Sequence, residues 1–171
     1  MGLSAEVREL LQQGREQALA ELVQANPGAL RPLMGRLWDP DATVRALAAR
    51  AIGAAAVAHP ERALEIVRRL MWGLNDESTT NGVYGIPALG EIGRRAPEIM
   101  APFVPALASM IEDPGLRLEL LAALAAIAES DPGRVAAQLP RLSQLIDEFT
   151  PEQRRAYTRL VASTEESRDV D

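Results

Sequence analysis

The chain has no cysteine, no lysine, a single histidine and only two Trp, two Tyr and two Phe among its 171 residues. Without thiols there is no disulfide framework, no thiolate nucleophile and no Cys-based zinc site. With His59 alone, neither a transition-metal cluster nor a His-dependent catalytic triad has its parts. No apolar run approaches the roughly 18 residues that suggest a membrane span. The opening residues carry Glu6 and Glu9 where a secretory signal would have a basic start. Dinucleotide fingerprints, phosphate-binding Walker loops and nucleophile elbows are absent. The basic residues are therefore 18 arginines against 24 Asp and Glu, a net charge of −6, which gives no broad attraction to nucleic acid or anionic lipid. These absences predict a cytoplasmic protein that is not an enzyme, with no cofactor, no metal, no nucleic-acid partner and no membrane partner.

What is present is helix-forming. Ala occurs 29 times and Leu 23 times, and these are the two strongest apolar helix formers, so an all-α fold is expected. Punctuation recurs along the chain. Pro27, Pro60, Pro97 and Pro132 are spaced by 33, 37 and 35 residues, and each precedes a helical run, as suits the first turn of a helix, where a missing N–H costs nothing. Asp39, Asp76, Asp113 and Asp147, spaced by 37, 37 and 34, each end an apolar run and mark turns between paired helices. Val44, Leu47, Ala48, Ala51, Ile52 and Ala55 fall at steps of three and four, on one helix face. The segment 116–128 is apolar nearly all round, as for a helix held between neighbours. Repeats of a helix pair are thus predicted at about 3–26, 27–59, 60–96, 97–131 and 132–163. An acidic tail, 164–171, holds little to bury beyond Val170 and is expected to be disordered.

The stretch 33–53, with Asp39-Pro40 followed by Val44-Arg45 and a run of alanines, resembles a HEAT repeat of the bacterial phycobilisome-lyase-like type. The segment 109–119 repeats it more loosely, with Arg117 two places earlier relative to its turn than Arg45. The resemblance implies a right-handed α-solenoid of about four to five helix pairs. In such an array the aspartate braces the turn, and small residues let adjacent repeats approach closely. It implies a protein–protein interaction module, monomeric or weakly self-associating. An alternative is an enzyme-accessory, lyase-like protein that holds a small molecule in the groove.

The repeat at 60–96 departs from its siblings. Residues 71–93 hold five of the twelve glycines, Pro87 and a polar run over 75–81. An interior glycine gives up about 1 kcal/mol of helix stability relative to Ala and an interior proline about 3. Sequences break local rules preferentially at functional sites, so this segment is the candidate site, the alternative being a longer loop that merely delays the next helix. Trp72 and Tyr84 offer large faces with polar tips, and Asn75, Asp76, Glu77, Ser78, Asn81 and Glu91 offer donors and acceptors for a partner. Trp72 alone, like Trp38, also suits a plug between repeats. The segment resembles one in small bacterial HEAT-repeat proteins; that resemblance names no activity, and it singles out Gly85 and Pro87 besides Trp72, Asn75, Glu77, Ser78 and Glu91. Arg68, Arg69, Arg94 and Arg95 are read as ending the two helices of this repeat, where cations oppose the helix dipole, and as candidate anion contacts. Adjacent carboxylates such as Asp76 and Glu77 do not share a helix face, and the order of oxygens does not match a helix–loop–helix calcium site.

Overall fold

A computed structural model describes residues 2–76 and 81–166, and within them every regular element is helical. In chain order these are α1 (Leu3–Gln12), α2 (Glu16–Ala25), α3 (Leu30–Arg36), α4 (Ala42–Ala58), α5 (Pro60–Asn75), α6 (Ile86–Arg95), α7 (Pro97–Met100), α8 (Val104–Ser109), α9 (Arg117–Ala128), α10 (Pro132–Ala136), α11 (Leu139–Ser143) and α12 (Pro151–Glu166). None of them is long and apolar enough to cross a membrane. Prolines stand where the punctuation places them. Pro60, Pro97 and Pro132 open α5, α7 and α10, and Pro27 opens a short 3-10 turn ahead of α3. Prolines also divide the first helices of the later pairs. A 3-10 turn at Ala101–Phe103, containing Pro102, separates α7 from α8, and Pro140 lies at the start of α11 after the break from α10. Each missing N–H interrupts the i→i−4 ladder.

The second helices form a continuous succession: α2 packs on α4, α4 on α6, α6 on α9 and α9 on α12. Such helices need apolar surface on two sides. α4 accordingly buries Ala49, Ala54 and Ala56 in addition to Leu47, Ala48, Ala51, Ile52 and Ala55 of the predicted stripe. α9 is central, with Leu120, Leu121, Leu124 and Ile127 all excluded from solvent. Close approach along this succession explains three glycines. A Cβ at Gly53 would fall 2.7 Å from Glu91 Cβ and 2.8 Å from its carbonyl carbon; one at Gly90 would fall 2.9 Å from Ala123 Cα, and one at Gly93 2.4 Å from Ile127 Cγ1. Two of the five glycines that mark the irregular repeat are therefore required where α6 meets α9.

Local caps set the helix starts. Asp41 accepts from the Thr43 N–H at the start of α4 (2.8 Å), and Asp131 from the Arg134 N–H in α10 (3.3 Å). Thr150 and Gln153 exchange backbone–side-chain hydrogen bonds as a capping box ahead of α12. Two expectations need correction. α12 extends to Glu166, so 164–166 are not disordered: Thr164 is buried and its hydroxyl donates to the Val161 carbonyl. Residues 167–171 lie outside the described residues. α5, in turn, continues to Asn75, so Arg68 and Arg69 do not end it.

Candidate functional site

The turns between paired helices are held by arginines at the start of the second helix. Arg45 Nη1 donates to the Asp39 and Pro40 carbonyls (2.7 and 3.1 Å). Buried Arg117 donates to the Ile111 carbonyl (2.9 Å) and to Glu148 (2.8 Å), and its guanidinium lies over the Phe149 ring. Arg154 donates to the Phe149 and Asp147 carbonyls. Aspartates brace the same turns: Asp39 accepts from the Asp41 N–H and pairs with Arg36, and Asp113 accepts from the Gly115 N–H.

The irregular repeat has no such arginine between Arg69 and Arg94. Its turn enters α6 through a 3-10 segment at Gly82–Gly85. That segment sits tightly on the end of α5, since a Cβ at Gly82 would meet the Gly73 carbonyl and one at Gly85 the Leu70 side chain at 2.8 Å. Support comes from the preceding repeat. The Trp38 indole Nε1 donates to the Asn81 carbonyl (3.0 Å), and the Arg45 guanidinium stands 5.1 Å from the centre of the Tyr84 ring. Trp38, Arg45, Asn81 and Tyr84 thus form one junction between two repeats.

The predicted site residues divide. Trp72 is 69% exposed, Trp38 42% and Tyr84 39%, so neither tryptophan is a buried plug. Asn75 is exposed and its side-chain amide donates back to the Met71 carbonyl, at the end of α5. Asp76 follows at the helix terminus. Glu77 and Ser78 lie outside the described residues. Glu91 belongs elsewhere: its backbone and Cβ close on Gly53 in the α4–α6 contact, and its carboxylate is largely covered near Arg94 (3.7 Å). The four arginines are not one cluster. Arg94 is engaged by Glu129 of the following repeat (3.2 Å), and Ser130 donates to the Arg94 carbonyl. Arg69 instead lines a cavity with residues of α3.

A cavity of about 350 Å³ opens beside the junction, lined by Ala42, Arg45, Ala46, Val83, Tyr84, Pro87 and Glu119. Burial pushes the Glu119 carboxyl above the ordinary glutamate range, and the charge of Arg45 opposes that shift. Neither Arg45 nor Glu119 is among the residues anticipated for the site. The signal present in the sequence was the lack of any arginine between Arg69 and Arg94, where the other turns have one. Among the described residues no group of His, Asp and Glu is arranged to hold a metal ion. Comparison of the chain with family models, curated proteins and solved structures returns no match.

Proposed function

We propose that the chain is a non-enzymatic interaction module, a right-handed α-solenoid of four to five HEAT-like helix pairs that holds a partner protein or peptide at its irregular central repeat, 71–93. The reading of a solenoid is supported by the succession α2, α4, α6, α9, α12 and by the arginine that recurs at the turns. Stacked repeats of this kind build extended surfaces suited to partners. The single observation that carries the functional reading is the exposure of Trp38, Trp72 and Tyr84 at or beside a turn that has no arginine of its own and is held by Trp38 and Arg45. Exposed tryptophan and tyrosine are the side chains that most often anchor protein interfaces, because they cover much area with few rotatable bonds. On this reading the module is cytoplasmic, monomeric or weakly self-associating, and binds neither nucleic acid nor membrane.

The test is affinity capture from native lysate with the intact chain and with a Trp72→Ala, Tyr84→Ala variant whose helix content matches by circular dichroism. A protein retained by the first and lost by the second is the expected result. Retention of every captured protein by the folded variant would remove the central repeat as the site. A second reading, an accessory protein that binds a small molecule, is favoured by the 350 Å³ cavity with Arg45, Tyr84 and Glu119 on its wall, at the lower end of the size range of ligand pockets. Titration with a linear tetrapyrrole separates the two, since only the second predicts a saturable absorbance change that an Arg45→Ala variant loses.

A further inference from the structure

A second cavity lies apart from the junction at Trp38, Arg45 and Tyr84. It is a groove of about 640 Å³ between α3 and α5, with the 3-10 turn Pro27–Ala29 at one end. Its wall combines Leu30, Met34 and Ile66 with Arg31, Arg62 and Arg69; the one carboxylate there, Glu65, is paired with Arg62 at 3.5 Å. Arg31 and Arg69 are exposed and take part in no ion pair among the described residues. A chain with a net charge of −6 thus concentrates uncompensated cations around a partly apolar trough.

We propose that this groove docks an acidic segment of a partner protein that also carries aliphatic side chains, its carboxylates meeting Arg31 and Arg69 and its apolar side chains lying against Leu30, Met34 and Ile66. Charge complementarity sets the sign of the occupant. Guanidinium forks donate to carboxylates in bidentate geometry, and such pairs are strongest where neighbouring surface is dry. The apolar wall and the volume argue for a stretch of peptide over a lone small anion, which would leave most of the groove filled by water. The site shares no residue with the junction at Trp38, Arg45 and Tyr84, so it stands whether or not the central repeat is a binding surface.

The experiment uses the full chain and a short fluorescein-labelled peptide of alternating glutamate and leucine, read by fluorescence anisotropy. Expected is saturable binding that weakens as salt rises and falls at least about tenfold in an Arg31→Glu, Arg69→Glu variant. An Arg31→Gln, Arg69→Gln variant should show a smaller loss, which keeps the test open if charge reversal disturbs folding. Reversal at a distant exposed position, Arg141→Glu, should leave binding unchanged. A glutamate–serine peptide of equal charge should bind more weakly, and inorganic phosphate should not displace the leucine peptide at matched ionic strength. Absence of saturable binding, equal binding by the charge-reversed protein, or displacement by phosphate with no preference for leucine would each overturn the proposal.

Discussion

The turns at Asp113 and at Asp76 each join two helices, and they differ in whether an arginine of the same segment holds them. The first has an arginine of its own: buried Arg117 donates to the Ile111 carbonyl within its repeat and reaches on to Glu148 and the Phe149 ring of the following one. The second has no arginine of its own and is held from the preceding repeat, by Trp38 on the Asn81 carbonyl and Arg45 on Tyr84. An internal staple leaves little of a turn available to anything else, because the donor and the ring it covers are both buried. An external brace of partly exposed side chains leaves aromatic faces in water. At the second turn Trp38 and Tyr84 both remain partly exposed, whereas Phe149 under Arg117 is buried.

The comparison is most sharply tested by removing each staple. Arg117→Ala should cost about 2–3 kcal/mol, since it strips a buried carbonyl of a charged donor and removes the guanidinium that lies over Phe149. Arg45→Ala, at a half-exposed position, should cost about 1 kcal/mol and should act locally, accelerating hydrogen exchange at Val83 to Ile86 more than elsewhere. Urea denaturation gives the first quantity, exchange mass spectrometry the second. Equal costs for the two substitutions would erase the distinction between internal and external support.

The glycines extend the same contrast. Gly53→Ala places a Cβ 2.7–2.8 Å from Glu91, backbone included, and the resulting separation of α4 from α6 should outweigh the gain in helix propensity for a net loss of about 2 kcal/mol. Gly35→Ala, in α3 with nothing within 4 Å of the new carbon, should stabilise by about 0.5–1 kcal/mol. Thermal melts of both variants decide whether the glycines are set by helix contact or only by chance.

Much of this architecture was legible in the sequence. Proline at the first turn of a helix has a local cause, the missing N–H, so Pro60, Pro97 and Pro132 could be read without knowing any neighbour. The apolar pattern of 116–128 likewise named a helix held between neighbours, which α9 is, although Ala122 stays exposed. The site was less legible because its determinants are contacts between repeats. Gly90 and Gly93 looked like helix breakers in a functional loop, yet they serve a crossing with α9 that is visible only when Ala123 and Ile127 are placed beside them. Glu91 carried a polar signature that its packing on Gly53 overrides. Arg31 and Arg69 lie 38 positions apart, and no sequence period brings them to one groove. The end of α12 was missed for a related reason: a short apolar content in 164–171 says nothing of Thr164, which is covered by the fold.

Smaller effects should appear in the junction itself. Trp38→Phe keeps the ring but removes the donor to the Asn81 carbonyl, at an exposed position, and should cost about 0.5–1 kcal/mol while raising exchange at the turn before α6. A Trp38→Phe variant as protected there as the parent would mean that Arg45 alone holds the second turn.

The finest comparison is between the two carboxyls on either side of Arg45. Asp39 is held below the ordinary aspartate range, first by the Asp41 backbone N–H and then by Arg36; its contribution is present above the unfolded value and disappears as pH falls through the folded one. Glu119 is shifted upward by burial, so its ionised form is the less favourable in the folded chain, and the fold loses a little stability as pH rises through the unfolded glutamate value. The two groups therefore contribute slopes of opposite sign, that of Asp39 below the ordinary aspartate value and that of Glu119 from the ordinary glutamate value upward. Carbon-detected NMR of the side-chain carboxyls should find Asp39 half-protonated below the usual aspartate value and Glu119 above the usual glutamate value. Replacing Arg45 by Ala should move Glu119 further up, because the charge that partly offsets its burial is gone; a Glu119 carboxyl that stays in place would show that Arg45 faces only its own turn and Tyr84.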